Sequence, residues 1–287
     1  MVGFGPQDMS DDYDEYHYEE DEQVSRPRDA KVDEAKRVLL SEYFPEKGTG
    51  VYYGRQLEIW LERTLFHWIT KKALNELVKE GRIGFMAVQA GHHKAHFYYP
   101  RRHRYPRRQI NKTLSLIAEF SDHKFTRALG HYGELLADSG FANIGFRILQ
   151  RKVKEVGGKR WTKTNHDLDR LIQRDGERYG VEIKNQLGYI DQTEFQTKLA
   201  MCGHLGIRPM FITRMMPKSY NYEVYKAGGF SLILENQHYP LMADDLAKRV
   251  REHLQLPVLS ISQLPDTALY RFEEWHAKQL ERWRKER

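Results

Sequence analysis

The chain has 287 residues, 40% of them hydrophobic and 30% charged, with a net charge of +6. That length leaves room for about two domains with real cores, and the basic balance suits a polyanionic partner. The single cysteine, Cys202, excludes an intrachain disulfide and a cysteine-based zinc site, and no apolar run approaches the roughly eighteen residues of a membrane span, so a cytoplasmic protein without membrane contact is expected.

Residues 1–28 are rich in Gly, Asp and Glu and lack periodic apolar positions, which predicts a disordered acidic tail. Its densest part, DDYDEYHYEEDE over 11–22, is either a solvating segment or a mimic of DNA that folds over a basic groove. Helical spacing of Val32, Ala35, Val38, Leu39 and Phe44 predicts a first helix over 31–44. A second is expected over 55–63 from Leu57, Trp60 and Leu61, and a third over 70–80, with Thr70 as N-cap and Gly81 as the stop. IGFMAVQAGHHKAHFYYP then reads as two strands around a polar turn at 90–94, and RRHRYPRR over 101–108 is a dense basic run. Such a run suits phosphate neutralisation or a charged linker, and one segment can serve as both.

A second unit is expected over 109–256. It starts with helix over 112–138, carrying Glu134 and ended by Gly140, followed by an apolar, β-branched stretch over 141–154. Next comes HDLDRLIQRDGERYGVEIKN, two apolar runs flanking Asp175–Gly176, which reads as a β-hairpin. A helix over 191–205 with Phe195, Leu199, Cys202 and Leu205 inward, a strand over 209–213, a helix over 217–227 and a strand over 230–234 complete it. Within 257–287 a highly charged helix presents Leu269, Phe272, Trp275, Leu280 and Trp283, a pattern that predicts docking by one aromatic edge, with a self-association or DNA-backbone helix as the alternative.

The hairpin carries the chemistry. Alternation sends Glu182 and Lys184 to one face with Ile183 turned to the core, and folding the hairpin brings Asp169 to Glu182. Two carboxylates and an amine then meet at a sheet end, a set that can hold a divalent cation through oxygen and leave a Lys beside the attacking water.

At these residues the sequence resembles the PD-(D/E)XK, or restriction-endonuclease-like, nuclease superfamily. The acidic position matches Asp169 and the E-x-K matches Glu182, Ile183 and Lys184, while Leu168 stands where the motif's Pro would be. The order α-β-β-β-α-β then α-β matches that superfamily's core, and the three helices and hairpin over 29–108 resemble a winged helix-turn-helix domain. The fold expected is therefore α/β: an N-terminal winged helix domain plus a restriction-endonuclease-like α-β-β-β-α-β core.

The resemblance implies Mg²⁺ (or Mn²⁺) held by Asp169, Glu182 and the carbonyl of Ile183, with Asp167 as a further ligand or a turn residue. Lys184 would act on the water or the phosphate, and Glu134 is the third acidic candidate. The implied DNA contacts are Lys71, Lys72, Lys79 and Arg82 around the third helix, His92, His93 and Lys94 in the wing, and Arg101, Arg102 and Arg104 in the basic run. Lys198 and Arg214 are candidates beside the site. The implied activity is metal-dependent DNA endonuclease action. A noncatalytic regulator on this fold, a junction nuclease and an RNA nuclease are the alternatives, and a homodimer stays open.

Overall fold

The computed structural model describes residues 29–286; the acidic segment 11–22 lies outside them. Among the described residues no helix is long and apolar enough to cross a membrane.

The chain starts with α1 (Ala30–Val38), capped by Asp29, whose carboxylate accepts from the Lys31 N–H, and runs on through a wider helical turn over Leu39–Tyr43. A two-residue strand β1 (Tyr52–Tyr53) leads to α2 (Gly54–Leu61) and α3 (His67–Lys79). The third helix begins three residues before Thr70. Thr70 is not a cap but a buried interior position beside Ile69, Ala73 and Leu74, so it joins the apolar face rather than a terminus. The stop is where expected: Gly81 takes φ +66° and the Arg82 N–H donates back to the Leu77 carbonyl.

Strands β2 (Ile83–Ala90) and β3 (His93–Pro100) form the expected hairpin, and β1 pairs with β3 to give a three-stranded sheet. Val32, Ala35, Leu39, Leu57, Leu61, Ile69, Leu74 and Leu77 pack one core beneath it.

The helical stretch expected over 112–138 is two helices, α4 (Pro106–Phe120) and α5 (His123–Asn143). Asp122 caps α5, accepting from Lys124 and Phe125 N–H. Gly140 does not end α5. It lies inside the helix, where a Cβ would come within 3.0 Å of Leu269, because the C-terminal helix crosses there.

A five-stranded sheet follows. Its strands are β4 (Arg147–Val153), β7 (Leu168–Arg174), β8 (Glu177–Lys184), β9 (Arg208–Thr213) and β10 (Phe230–Ile233). β5 (Glu155–Val156) and β6 (Lys159–Arg160) make a small separate hairpin between β4 and β7. The spatial order is β10-β9-β8-β7-β4; β4, β7 and β8 are antiparallel, and β8, β9 and β10 parallel. The β7–β8 turn is Asp175–Gly176, both at positive φ (53° and 83°), as a two-residue hairpin turn requires.

The parallel strands need crossovers, supplied by α6 (Gln192–Leu205) and α7 (Lys218–Lys226). α5 covers one face of the sheet, with Leu136, Ala137 and Phe141 against Tyr179, Val181 and Ile183. α6 covers the other, with Met201, Cys202 and Leu205 against Leu168 and Leu171.

Sequence reading left three elements unassigned: β11 (Gln237–Tyr239), α8 (Asp244–Leu254) and β12 (Val258–Ser260). They matter because Tyr239, Leu246, Val250 and Leu254 join Tyr53, Ile59, Phe97, Ile117 and Leu129 in one apolar cluster. The first sheet thus shares a core with α4, α5, α8 and the β11–β12 pair. The final helix α9 (Asp266–Glu286) docks by Leu269, Phe272 and Trp283, as its aromatic edge predicted. His276 fastens it, bonded through Nδ1 to the Tyr179 hydroxyl (2.6 Å) and through Nε2 to Asp175 (3.1 Å).

Candidate active site

In the β7–β8 register Arg170 stands opposite Val181. One step further stand Asp169 and Glu182, on the face covered by α6. Asp169 accepts a 2.7 Å hydrogen bond from the Ile183 N–H, so the carboxylate is seated at the strand's end. Glu182 is 1% exposed. Lys198 on α6 donates to its Oε2 at 2.6 Å, and Lys184 lies 3.2 Å from its Oε1. Lys184 also donates to Glu194 of α6 at 2.7 Å.

Electrostatics follow from this crowding. Burial raises the Asp169 carboxyl above its usual range, against the pull of the Ile183 N–H, Lys198 and Lys184, and Glu134 adds to the rise. Burial and the charge of Asp169 push Glu182 up to about 7. Burial works to lower Lys184, but Glu182 and Glu194 outweigh it and hold the amine above its ordinary value. Lys184 and Lys198 oppose that rise, so the Glu182 carboxylate sits between two amines as well as beside Asp169.

Glu134 is near the group but engaged. Its Oε2 accepts from Arg170 at 2.8 Å, and the same guanidinium holds Asp138 at 2.7 Å and the Asp169 carbonyl at 2.8 Å. Asp167 contributes its carbonyl, which accepts from Lys198. Ile183 turns its side chain into the core, as expected.

Two residues expected at DNA are placed otherwise. Lys198 is 4% exposed and points into the site, where it neutralises Glu182. Arg214 is 2% exposed; it makes a two-pronged ion pair with Glu62 after α2, both contacts 2.6 Å, and donates to the Leu187 carbonyl. Its place at a strand end resembled a site position, but the neighbouring helical unit claims it. Gln196, two residues before Lys198 on α6, donates to Glu223.

Of the remaining basic candidates, Lys72, Lys79, Arg82, His92, Lys94 and Arg104 are exposed and Lys71 is half-buried. Arg101 donates to the Gly81 carbonyl, Arg102 pairs with Glu46, and His93 bonds the Tyr53 hydroxyl.

Sequence reasoning missed three supports. Arg170 fixes Glu134 and the Asp169 backbone. Glu194 holds Lys184; its signal was Asp191 three residues earlier, which caps α6 by accepting from the Glu194 N–H at 3.0 Å. Asn185 follows Lys184 directly and ties the strand end to α5 through the Leu129 carbonyl (2.8 Å) and to β11 through the His238 carbonyl (2.7 Å) and N–H (2.7 Å). α5 passes so close that a Cβ on Gly133 would lie 2.6 Å from the Asn185 Cβ.

His238, beside that hub, yields a pH prediction. Burial holds its imidazole down at about 4. The folded state keeps it neutral while the unfolded chain binds a proton near 6.5, so its contribution to stability is complete above about pH 6.5 and is lost as pH falls toward 4. The difference amounts to about 3 kcal/mol. Thermal melts from pH 7 to pH 4 should show a steep acid loss that His238→Gln flattens; parallel curves would remove His238 as its source.

Compared with protein family models, curated protein sequences and solved structures, the chain matches none.

Proposed function

We propose that this protein is a metal-dependent nuclease that hydrolyses DNA phosphodiester bonds. The observation that carries this reading is the meeting of Asp169, Glu182 and Lys184 at one end of the β7–β8 hairpin, braced by Glu194 and Lys198. The strand order and the α5-β4-β7-β8-α6-β9 succession support a restriction-endonuclease-like core. The α1-β1-α2-α3-β2-β3 order, with its three-stranded sheet, supports a winged helix with α3 as recognition helix and Lys72 and Lys79 outward.

The donor set fits Mg²⁺. Among the described residues no three acidic, His or Cys side chains form a metal cage, and Mg²⁺ commonly takes only one or two carboxylates and keeps its waters and substrate oxygens. Asp169 and Glu182, with the Ile183 carbonyl, would hold it. A bound cation supplies charge to the phosphate and acidifies its water.

The chain's own residues do the rest. Glu182 carries its metal-binding charge only above about pH 7 unless a cation displaces the proton, so cleavage should fall on acidification below that value. Lys184 is held as an ammonium, so it is not the base. Two of its three donors face Glu182 and Glu194, and the third is available to an oxygen of the phosphate as charge develops there. Water's oxygen bonds to phosphorus as the P–O ester bond breaks, giving a phosphomonoester and an alcohol.

A noncatalytic DNA-binding role is the second reading. It is favoured by one observation: Lys184 and Lys198 both neutralise Glu182.

The deciding experiment incubates purified protein with linear, branched and single-stranded DNA, and with RNA, with and without Mg²⁺. Lys184→Ala should slow single-turnover cleavage by about 10²–10³-fold with little change in DNA affinity. A loss confined to affinity would recast Lys184 as a phosphate anchor, and no cleavage of any substrate by the wild type would leave the second reading.

A further inference from the structure

We propose that the β4–β6 segment is a second DNA-backbone surface, separate from the helical unit and set directly beside the active site. The proposal rests on the nuclease reading for the identity of its partner.

Charge is the first argument. Residues 147–163 hold seven Lys or Arg (Arg147, Arg151, Lys152, Lys154, Lys159, Arg160, Lys163) and one acid, Glu155, a net of +6. Outside residues 1–28 the chain carries a net +13, and these seventeen residues hold +6 of it, nearly half the net positive charge in a small part of the sequence.

Presentation is the second. Val153, Val156 and Trp161 are buried against Met201, Cys202 and Leu205, which anchors the β5–β6 hairpin on α6. Its basic side chains are left outward: Lys159, Arg160 and Lys163 are exposed and have no carboxylate partner among the described residues. The hairpin tip, Gly157–Gly158, takes positive φ on both residues, and a Cβ on either would meet nothing within 4 Å. The tip is open to a large ligand.

Position is the third. Leu168 belongs to the same anchoring cluster and directly precedes Asp169. Lys163 is six residues before Asp169, so the two Cα atoms lie within about 20 Å of each other. A DNA turn spans about 34 Å with a charge roughly every 1.7 Å. A duplex with its scissile phosphate at Asp169 and Glu182 therefore has phosphates within reach of this hairpin. A protein partner with an acidic face would satisfy the charge but not explain its placement beside a phosphodiester site.

The test measures equilibrium binding of a nonspecific duplex in EDTA over a series of salt concentrations. It compares wild type, Lys159→Ala/Arg160→Ala/Lys163→Ala, and Lys72→Ala/Lys79→Ala. Each lost phosphate contact should lower the log–log salt slope by about 0.9, so the triple variant should lose about 2–3 units of slope and bind roughly 10-fold or more weakly at low salt, with an unchanged melting temperature. A wild-type slope in the triple variant overturns the proposal, as does tighter binding, which would mean that the hairpin holds the chain's own acidic segment 11–22. Absence of duplex binding by the wild type overturns it too. Cleavage is scored separately: cleavage by the wild type with an unaltered slope in the variant rejects the hairpin alone, and slope loss without cleavage under any metal rejects the nuclease alone.

Discussion

Asp169→Asn is expected to abolish cleavage and to leave the metal-free protein more stable at pH 8. The amide can still accept the Ile183 N–H bond that seats Asp169, so the local fold survives. It removes a buried charge whose ionised form burial disfavours and which helps push Glu182 up to about 7. The sign follows from linkage. A carboxyl whose folded pKa is raised contributes stability at low pH, where it is protonated in both states, and that contribution is lost as pH rises from the ordinary value of 4.5 to about 7 for Glu182. Removing Asp169's share should therefore raise the Tm of the metal-free protein at pH 8. Turnover should fall by about 10²–10³-fold or more, because a single carboxylate no longer positions the cation. Mg²⁺ should raise the wild-type Tm at pH 8 and barely move that of the variant. Normal turnover in Asp169→Asn would sink the site. Lost turnover with a lowered Tm and no Mg²⁺ effect in either protein would make Asp169 a structural residue.

The parts legible in sequence were those governed by short-range rules. Asp175–Gly176 announced the β7–β8 hairpin because positive φ at two successive turn positions has few solutions. Period-two alternation then put Glu182 and Lys184 on one face and Ile183 in the core. What failed depended on distant neighbours. Thr70 looked like a cap, but its helix begins earlier because Ile69 and Thr70 are needed to pack the face toward α1 and the first sheet. Gly140 looked like a stop; it is a close-approach glycine beneath Leu269 on a helix more than a hundred residues later. Lys198 and Arg214 were expected beside the site as DNA contacts, and nothing local shows that Glu182 and Glu62 come to meet them. β11 and β12 were missed because they are three residues each and their burial depends on the far end of the chain, whereas α8, with Leu246, Val250 and Leu254 at helical spacing, was legible and left unassigned.

The second large effect concerns the join between the two sheets. Arg214→Ala is expected to destabilise the whole protein by about 3–5 kcal/mol, the range for breaking a buried ion pair from one side. The side chains of Arg214 and Glu62 are 1% and 7% exposed. The substitution leaves the Glu62 carboxylate buried without its guanidinium and the Leu187 carbonyl without the Arg214 Nε donor. Most of the cost is the stranded charge, not the value of the pair. The double variant Glu62→Leu/Arg214→Met should therefore recover most of the loss.

Because Tyr53, Ile59 and Phe97 share an apolar cluster with Leu129 of α5, Tyr239 of β11 and Val250 of α8, the first half and these later elements should unfold in one transition in every variant. Removing residues 1–108 would strip that cluster of its first-half members and expose the remainder, so the truncated chain should fail to fold. DNA contacts of the first half are better tested by point substitution. Denaturant melts followed separately by Trp60 and Trp283 fluorescence, each kept as the only tryptophan, decide the matter. Coincident curves, with Arg214→Ala shifted to lower denaturant and the double variant shifted back, fit a single cooperative body. Two separate transitions, with Arg214→Ala moving neither, would show that the halves are independent and that the ion pair is incidental.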